Sequence, residues 1–99
     1  MILARLTSIE DVRKNDGEMY KYVRMADGSF RFADIQSLPE HRFMIDPITN
    51  EVAVSAGTVV IDATAKVAVE AGYGSATLGI ARSMPDDMEK IEALLWGSQ

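Results

Sequence analysis

Hydrophobic positions along this chain follow two rhythms. Between Glu51 and Ile80 apolar side chains recur at every second residue: Val52 and Val54, Val59 and Ile61, Val67 and Val69, then Ala76, Leu78 and Ile80. A period of two puts one set of side chains on one face of a strand, so these segments read as strands with a solvated reverse face. The breaks suit turns at Ala56-Gly57, Ala63-Thr64-Ala65 and Ala71-Gly72-Tyr73-Gly74. With those loops Val54 faces Val59, Ile61 faces Val67 with Asp62 against Lys66, and Val69 faces Ala76. One register then holds every apolar set on one side, as an antiparallel meander requires.

From Ser83 the period becomes helical. Ser83, Pro85 and the pair Asp86-Asp87 suit a capped first turn, Gly97 suits the stop, and Met84, Met88, Ile91, Leu94 and Leu95 form a stripe to cover the sheet.

The first half is less regular. Residues 2–7, ILARLT, read as a first strand, and Ser8 with Asp11 has the spacing of a helix cap. EMYKYVRM reads as a strand, and Asp27-Gly28 between two strand-like runs predicts a two-residue hairpin loop. In that hairpin Met25 faces Phe30, Val23 faces Phe32 and Lys21 faces Asp34, while Arg24 opposes Arg31 on the other side, beside Tyr22. Residues 33–42 are irregular around Pro39, Phe43 and Ile45 read as a short strand, and residues 46–50, DPITN, read as a turn. The pattern therefore predicts one α+β domain over residues 1–99. Its antiparallel β-meander of about five to seven strands packs against a C-terminal helix.

Composition narrows the chemistry. With 99 residues, 47% hydrophobic and 25% charged, the chain matches an ordinary globular domain. The absence of cysteine excludes disulfides, thiolate zinc sites and cysteine nucleophiles. The opening MILARLTSIEDV lacks the core of a signal peptide, and no apolar run approaches the ~20 residues that span a bilayer. The expectation is a cytoplasmic protein with no membrane partner. Net charge is −5, with seven basic and eight acidic residues in 1–50 but three and seven in 51–99. Such an acidic body argues against a nucleic-acid binder, which shows a basic stripe.

Five features are candidate sites. Gly74 to Gly79 has P-loop spacing, but Ile80-Ala81 stand where lysine and a hydroxyl are needed. Thr77 occupies the third glycine position of a dinucleotide fingerprint, so turn glycines are the reading. His41, the only histidine, with Glu40, Asp34 or Asp46, would make a general base or ligand site; against it stands a plain loop histidine. Asp86, Asp87 and Glu89 face different directions on a helix, and dipole compensation explains them without a metal. Arg24 and Arg31 with Tyr20 and Tyr22 form the strongest binding candidate, since arginine beside aromatics suits an acidic partner, RNA bases or another subunit. Trp96 reads as the end of the helix's core face or as a contact anchor.

The C-terminal part, through Ser55-Ala56-Gly57, Gly74-Ser75-Ala76-Thr77-Leu78-Gly79-Ile80 and Ser83-Met84-Pro85-Asp86-Asp87 with Ile91, resembles short uncharacterised proteins encoded by phages and prophages. That resemblance implies a small accessory protein and transfers no site. The residues together predict a non-catalytic protein without cofactor or metal. It would bind another protein, or itself, through Tyr20, Tyr22, Arg24 and Arg31. The alternatives are a small enzyme or ligand binder around Glu40 and His41, and a single-stranded nucleic-acid binder using the same ribbon.

Overall fold

The computed structural model describes residues 6–35, 41–45, 51–75, 78–80 and 83–97. Ser8 caps a short helix α1 (Ile9–Lys14), its Oγ accepting from the Asp11 amide at 3.2 Å as the spacing predicted. Strands β1 (Met19–Met25), β2 (Phe30–Asp34), β3 (Ala53–Asp62) and β4 (Val67–Tyr73) follow, and helix α2 (Asp87–Trp96) closes the described chain. The α+β class and the C-terminal helix are as expected.

Among the described residues the sheet has four antiparallel strands in the order β2-β1-β3-β4, fewer than the about five to seven predicted. It is not a simple meander: β3 pairs with β1 and leaves β2 at the edge, where Thr7 adds a single bridge to Phe32. Most of the predicted first strand and the turn at 46–50 lie outside the described residues. Phe43 and Ile45 do not form a strand, because His41–Met44 is a turn of 3-10 helix. Leu78 and Ile80 belong to a tight turn closed by the Ser75 and Ile80 backbones, so Gly79 sits in that turn and not inside a strand; Ala76 lies outside the described residues.

Both hairpin registers differ from the predicted ones by one residue. Met25 and Ser29 close a three-residue loop, Ala26-Asp27-Gly28, with Gly28 at φ +91° and the Asp27 carboxylate accepting from the Ser29 amide. A three-residue loop ending in a left-handed glycine is the second common hairpin solution. Arg24 therefore pairs with Phe30, Tyr22 with Phe32 and Tyr20 with Asp34, while Val23 faces Arg31. Residues 63–66 likewise form a four-residue loop, which pairs Asp62 with Val67 and Ile61 with Ala68. A slip of one residue sends every side chain of a strand to the opposite face.

The predicted turn at Ala56-Gly57 is absent, and β3 runs unbroken for 10 residues. In one continuous strand Val54 and Val59 point to opposite faces. Two apolar layers result. On the helix side Tyr20, Tyr22, Phe32, Val59, Ile61 and Ala68 pack with Val12 of α1 and with Ile91 and Leu95 of α2. On the outer side Val23, Met25, Ala33 and Ala56 pack under Met44, with Ile45, Leu78 and Ile80 beside them. The buried stripe of α2 is Asp87, Ile91 and Leu95, four residues apart, so Leu94 and Met84 remain exposed. Val67 and Val69, expected in the core, are also exposed, and Ala68 takes their place.

Candidate functional site

Alternation along β1 puts Tyr20, Tyr22 and Arg24 on the helix side, where Ser55 of β3 joins them opposite Arg24. The start of α2 lowers Asp87 onto this row. Its carboxylate is fully buried and accepts four hydrogen bonds. Tyr22 Oη donates to Oδ2 at 2.8 Å, Ser55 Oγ at 2.7 Å and the Met84 amide at 3.1 Å, while Arg24 Nη1 donates to Oδ1 at 3.2 Å. A carboxylate offers about four lone-pair positions, and the four bonds match that number, three on Oδ2 and one on Oδ1. The Asp87 amide returns a bond to the Met84 carbonyl at 3.1 Å, which makes the helix entry reciprocal.

Arg24 also meets Asp86 Oδ1 at 2.8 Å and lies over the Phe30 ring, 5.7 Å from its centroid. The guanidinium holds the Asp86 carboxyl below its usual range, and Asp86 in turn raises Arg24 further above neutrality. Burial, reinforced by the bond to Asp87, pushes the Tyr22 phenol well above its ordinary value. Tyr22 is thus a fixed neutral donor. The arrangement pins the start of α2 to the middle of the sheet by giving the buried Asp87 carboxylate, the Tyr22 and Ser55 hydroxyls and the Met84 amide hydrogen-bond partners.

Arg31 lies on the other side of the ribbon. Its guanidinium grips Glu51 bidentately, at 2.6 and 2.7 Å, and donates to the Met44 carbonyl at 2.9 Å. The expected surface of Tyr20, Tyr22, Arg24 and Arg31 is therefore not one surface. Both tyrosines are buried in the core, and the two arginines face opposite layers because the hairpin register is shifted.

His41 is buried, and its Nε2 lies 2.8 Å from the Gly57 carbonyl, to which it donates as the protonated nitrogen. Glu40, its proposed helper, and Asp46 lie outside the described residues, and Asp34 is on the opposite side of the sheet, paired with Tyr20. Burial lowers the His41 pKa below its ordinary value, the Gly57 bond opposes this, and the charge of Lys21 adds to the lowering. A folded pKa below the unfolded one means that the unfolded chain binds more protons. The contribution is complete above about pH 6.5 and is lost as pH falls through that value. Denaturation midpoints are expected to fall between about pH 7.5 and about pH 5, and His41→Gln to flatten that slope. Equal slopes in the two proteins would refute the assignment.

Sequence reasoning did not single out Ser55, and it explained Asp87 by the helix dipole alone. The signal for Asp87 was its position four residues before Ile91 and eight before Leu95, on the stripe that faces the sheet. Among the described residues no group of three acidic, histidine or cysteine side chains is placed to hold a metal. Trp96 is half-buried, packed against the core on one side and lining an open groove of about 560 Å³ with Lys66, Glu89 and Glu92 on the other. Glu92 reaches from α2 to accept the Ala68 amide at 2.9 Å, which occupies a donor on the edge strand β4.

The outer side of the sheet beside the Met44 layer carries an apolar row. Met19 pairs with Val60 and Val60 with Val69, so three neighbouring strands present these side chains together, with Val67 next to them. Met19 is 36% exposed, Val67 37% and Val69 52%. None of the protein-family models, curated proteins or solved structures compared with this chain matches it.

Proposed function

We propose that this chain is a small non-catalytic accessory protein that binds another protein through the outer face of β1, β3 and β4. The observation that carries this is the row Met19, Val60 and Val69 with Val67, apolar side chains held side by side on the sheet, with Met19, Val67 and Val69 exposed around a half-buried Val60. Scattered surface valines need no explanation, but a contiguous set on one face suits an interface. Further support is the use of the polar side chains that would carry chemistry. Tyr22, Arg24 and Ser55 are engaged by Asp87, Arg31 by Glu51, and His41 by Gly57. This reading keeps the protein-binding role expected from the sequence and moves it from the Arg/Tyr ribbon to the outer row of β1, β3 and β4.

Photocrosslinking tests it. A benzophenone amino acid at position 69, expressed in the native host, is expected to form a covalent adduct with a protein. The same group at the exposed Glu10 position of α1 is expected to form none. Absence of any adduct from position 69, or equal labelling from both positions, would count against this face.

A further inference from the structure

We propose that the partner of this face is a second copy of the chain, in a two-fold, face-to-face dimer; this rests on reading the face as an interaction surface. The argument is the charge pattern around the apolar row. One step along the strands on one side lies the pair Lys21 and Thr58; one step on the other side lies the pair Asp62 and Val67. The row is thus flanked by a cation on one side and an anion on the other.

A two-fold axis running along the row, between two stacked sheets, reverses the strand direction of one copy relative to the other. It superposes Met19, Val60 and Val69 on their own counterparts. It also lays the Lys21 end of each copy over the Asp62 end of its partner. Lys21 and Asp62 sit on adjacent strands, an offset of about 4.8 Å that a lysine stem spans. The match occurs twice by symmetry, as an isologous interface requires. An axis parallel to the strands would instead set Lys21 near Lys21 and Asp62 near Asp62, so the charges select one dimer over the other. Sheets stacked in this way keep their strands within about 30° and interdigitate apolar side chains across a layer ~10 Å thick. On the far side of the molecule α1 and α2 cover the sheet, and on this side the Met44 layer covers its other half, so the patch has defined borders.

Sedimentation equilibrium of the purified chain over a wide concentration range is the test. A reversible monomer–dimer equilibrium is expected, weakened at least about tenfold by Val69→Lys, which buries a charge within the row. Lys21→Glu and Asp62→Lys are each expected to weaken it about two- to fivefold, and the double charge reversal to restore it. Circular dichroism and thermal midpoints of each variant establish that the monomer is folded. A chain that stays monomeric at every concentration, or a dimer indifferent to Val69→Lys, overturns the proposal. A monomer that still crosslinks a different protein through position 69 would leave the interaction face standing and remove only the second copy.

Discussion

Replacing Asp87 with alanine is expected to destabilise the protein by about 3 to 5 kcal/mol, the range found when one partner of a buried, hydrogen-bonded charge is removed. The loss is large because the donors remain. Tyr22 Oη, Ser55 Oγ and the Met84 amide would all keep their positions under α2 without an acceptor, and each such orphan costs roughly 1 to 3 kcal/mol before relaxation. Arg24 suffers least, since Asp86 holds it independently. A domain of this size has a total stability of only ~5–15 kcal/mol, so the thermal midpoint should fall by roughly 15 to 30 °C. Asp87→Asn keeps one acceptor oxygen and is expected to lose about half as much.

A double-mutant cycle separates the network from simple helix loosening. Tyr22→Phe alone should cost about 1 kcal/mol, and in the Asp87→Ala background it should cost nothing or bring relief. Additive effects of the two substitutions would refute the pin, as would a loss below about 1 kcal/mol for Asp87→Ala.

The history of Asp87 shows what the chain's pattern can and cannot disclose. Helical spacing located α2, its stop at Gly97 and the buried pair Ile91 and Leu95, because a 3.6-residue period is a property of the helix alone, but the helix begins at Asp87 and the expected cap Ser83 donates its hydroxyl to Glu70. The same spacing carries Asp87 onto the buried face, but its partners sit 65 and 32 residues away, on strands whose facing depends on register. Register was the weak link. Two hairpins were correctly located by Asp27-Gly28 and by the Ala63-Thr64-Ala65 break, and each loop proved one residue longer than its simplest form. That single residue exchanged the faces of Tyr20, Tyr22 and Arg24, turning an expected binding surface into core. It also exposed Val67 and Val69, the residues that now mark the interaction face. Length of loop is decided by twist and by packing against the other layer, which no local pattern records.

Gly57 carries the second large prediction. The alternation of apolar residues predicts a turn at Ala56-Gly57, because that loop lets Val54 face Val59. The strand continues through Gly57 because of what presses on it. A Cβ there would stand 2.5 Å from the Gly72 carbonyl oxygen, 3.0 Å from Tyr22 Cε2 and 3.1 Å from Tyr73 Cα. Two of these are backbone atoms of β4, and the third belongs to the ring that donates to Asp87, so none yields cheaply. The Gly57 carbonyl is also the acceptor for His41, which ties the outer layer to the same point. Gly57→Ala is therefore expected to cost about 3 kcal/mol or more, at the upper end of overpacking losses. Gly72→Ala is the control. Its added methyl group would rest 3.7 Å from the Thr58 side chain, an ordinary contact, and with no left-handed backbone to oppose it the change should be neutral or stabilise by about 0.4 to 1 kcal/mol. Denaturant midpoints with unchanged slopes would measure both. Opposite signs at two glycines of neighbouring strands would establish that close approach, and not chain reversal, is the reason for glycine at position 57. A Gly57→Ala protein as stable as the parent would mean that β3 and β4 are not apposed as described. The Tyr22 ring would then have no fixed seat from which to reach Asp87.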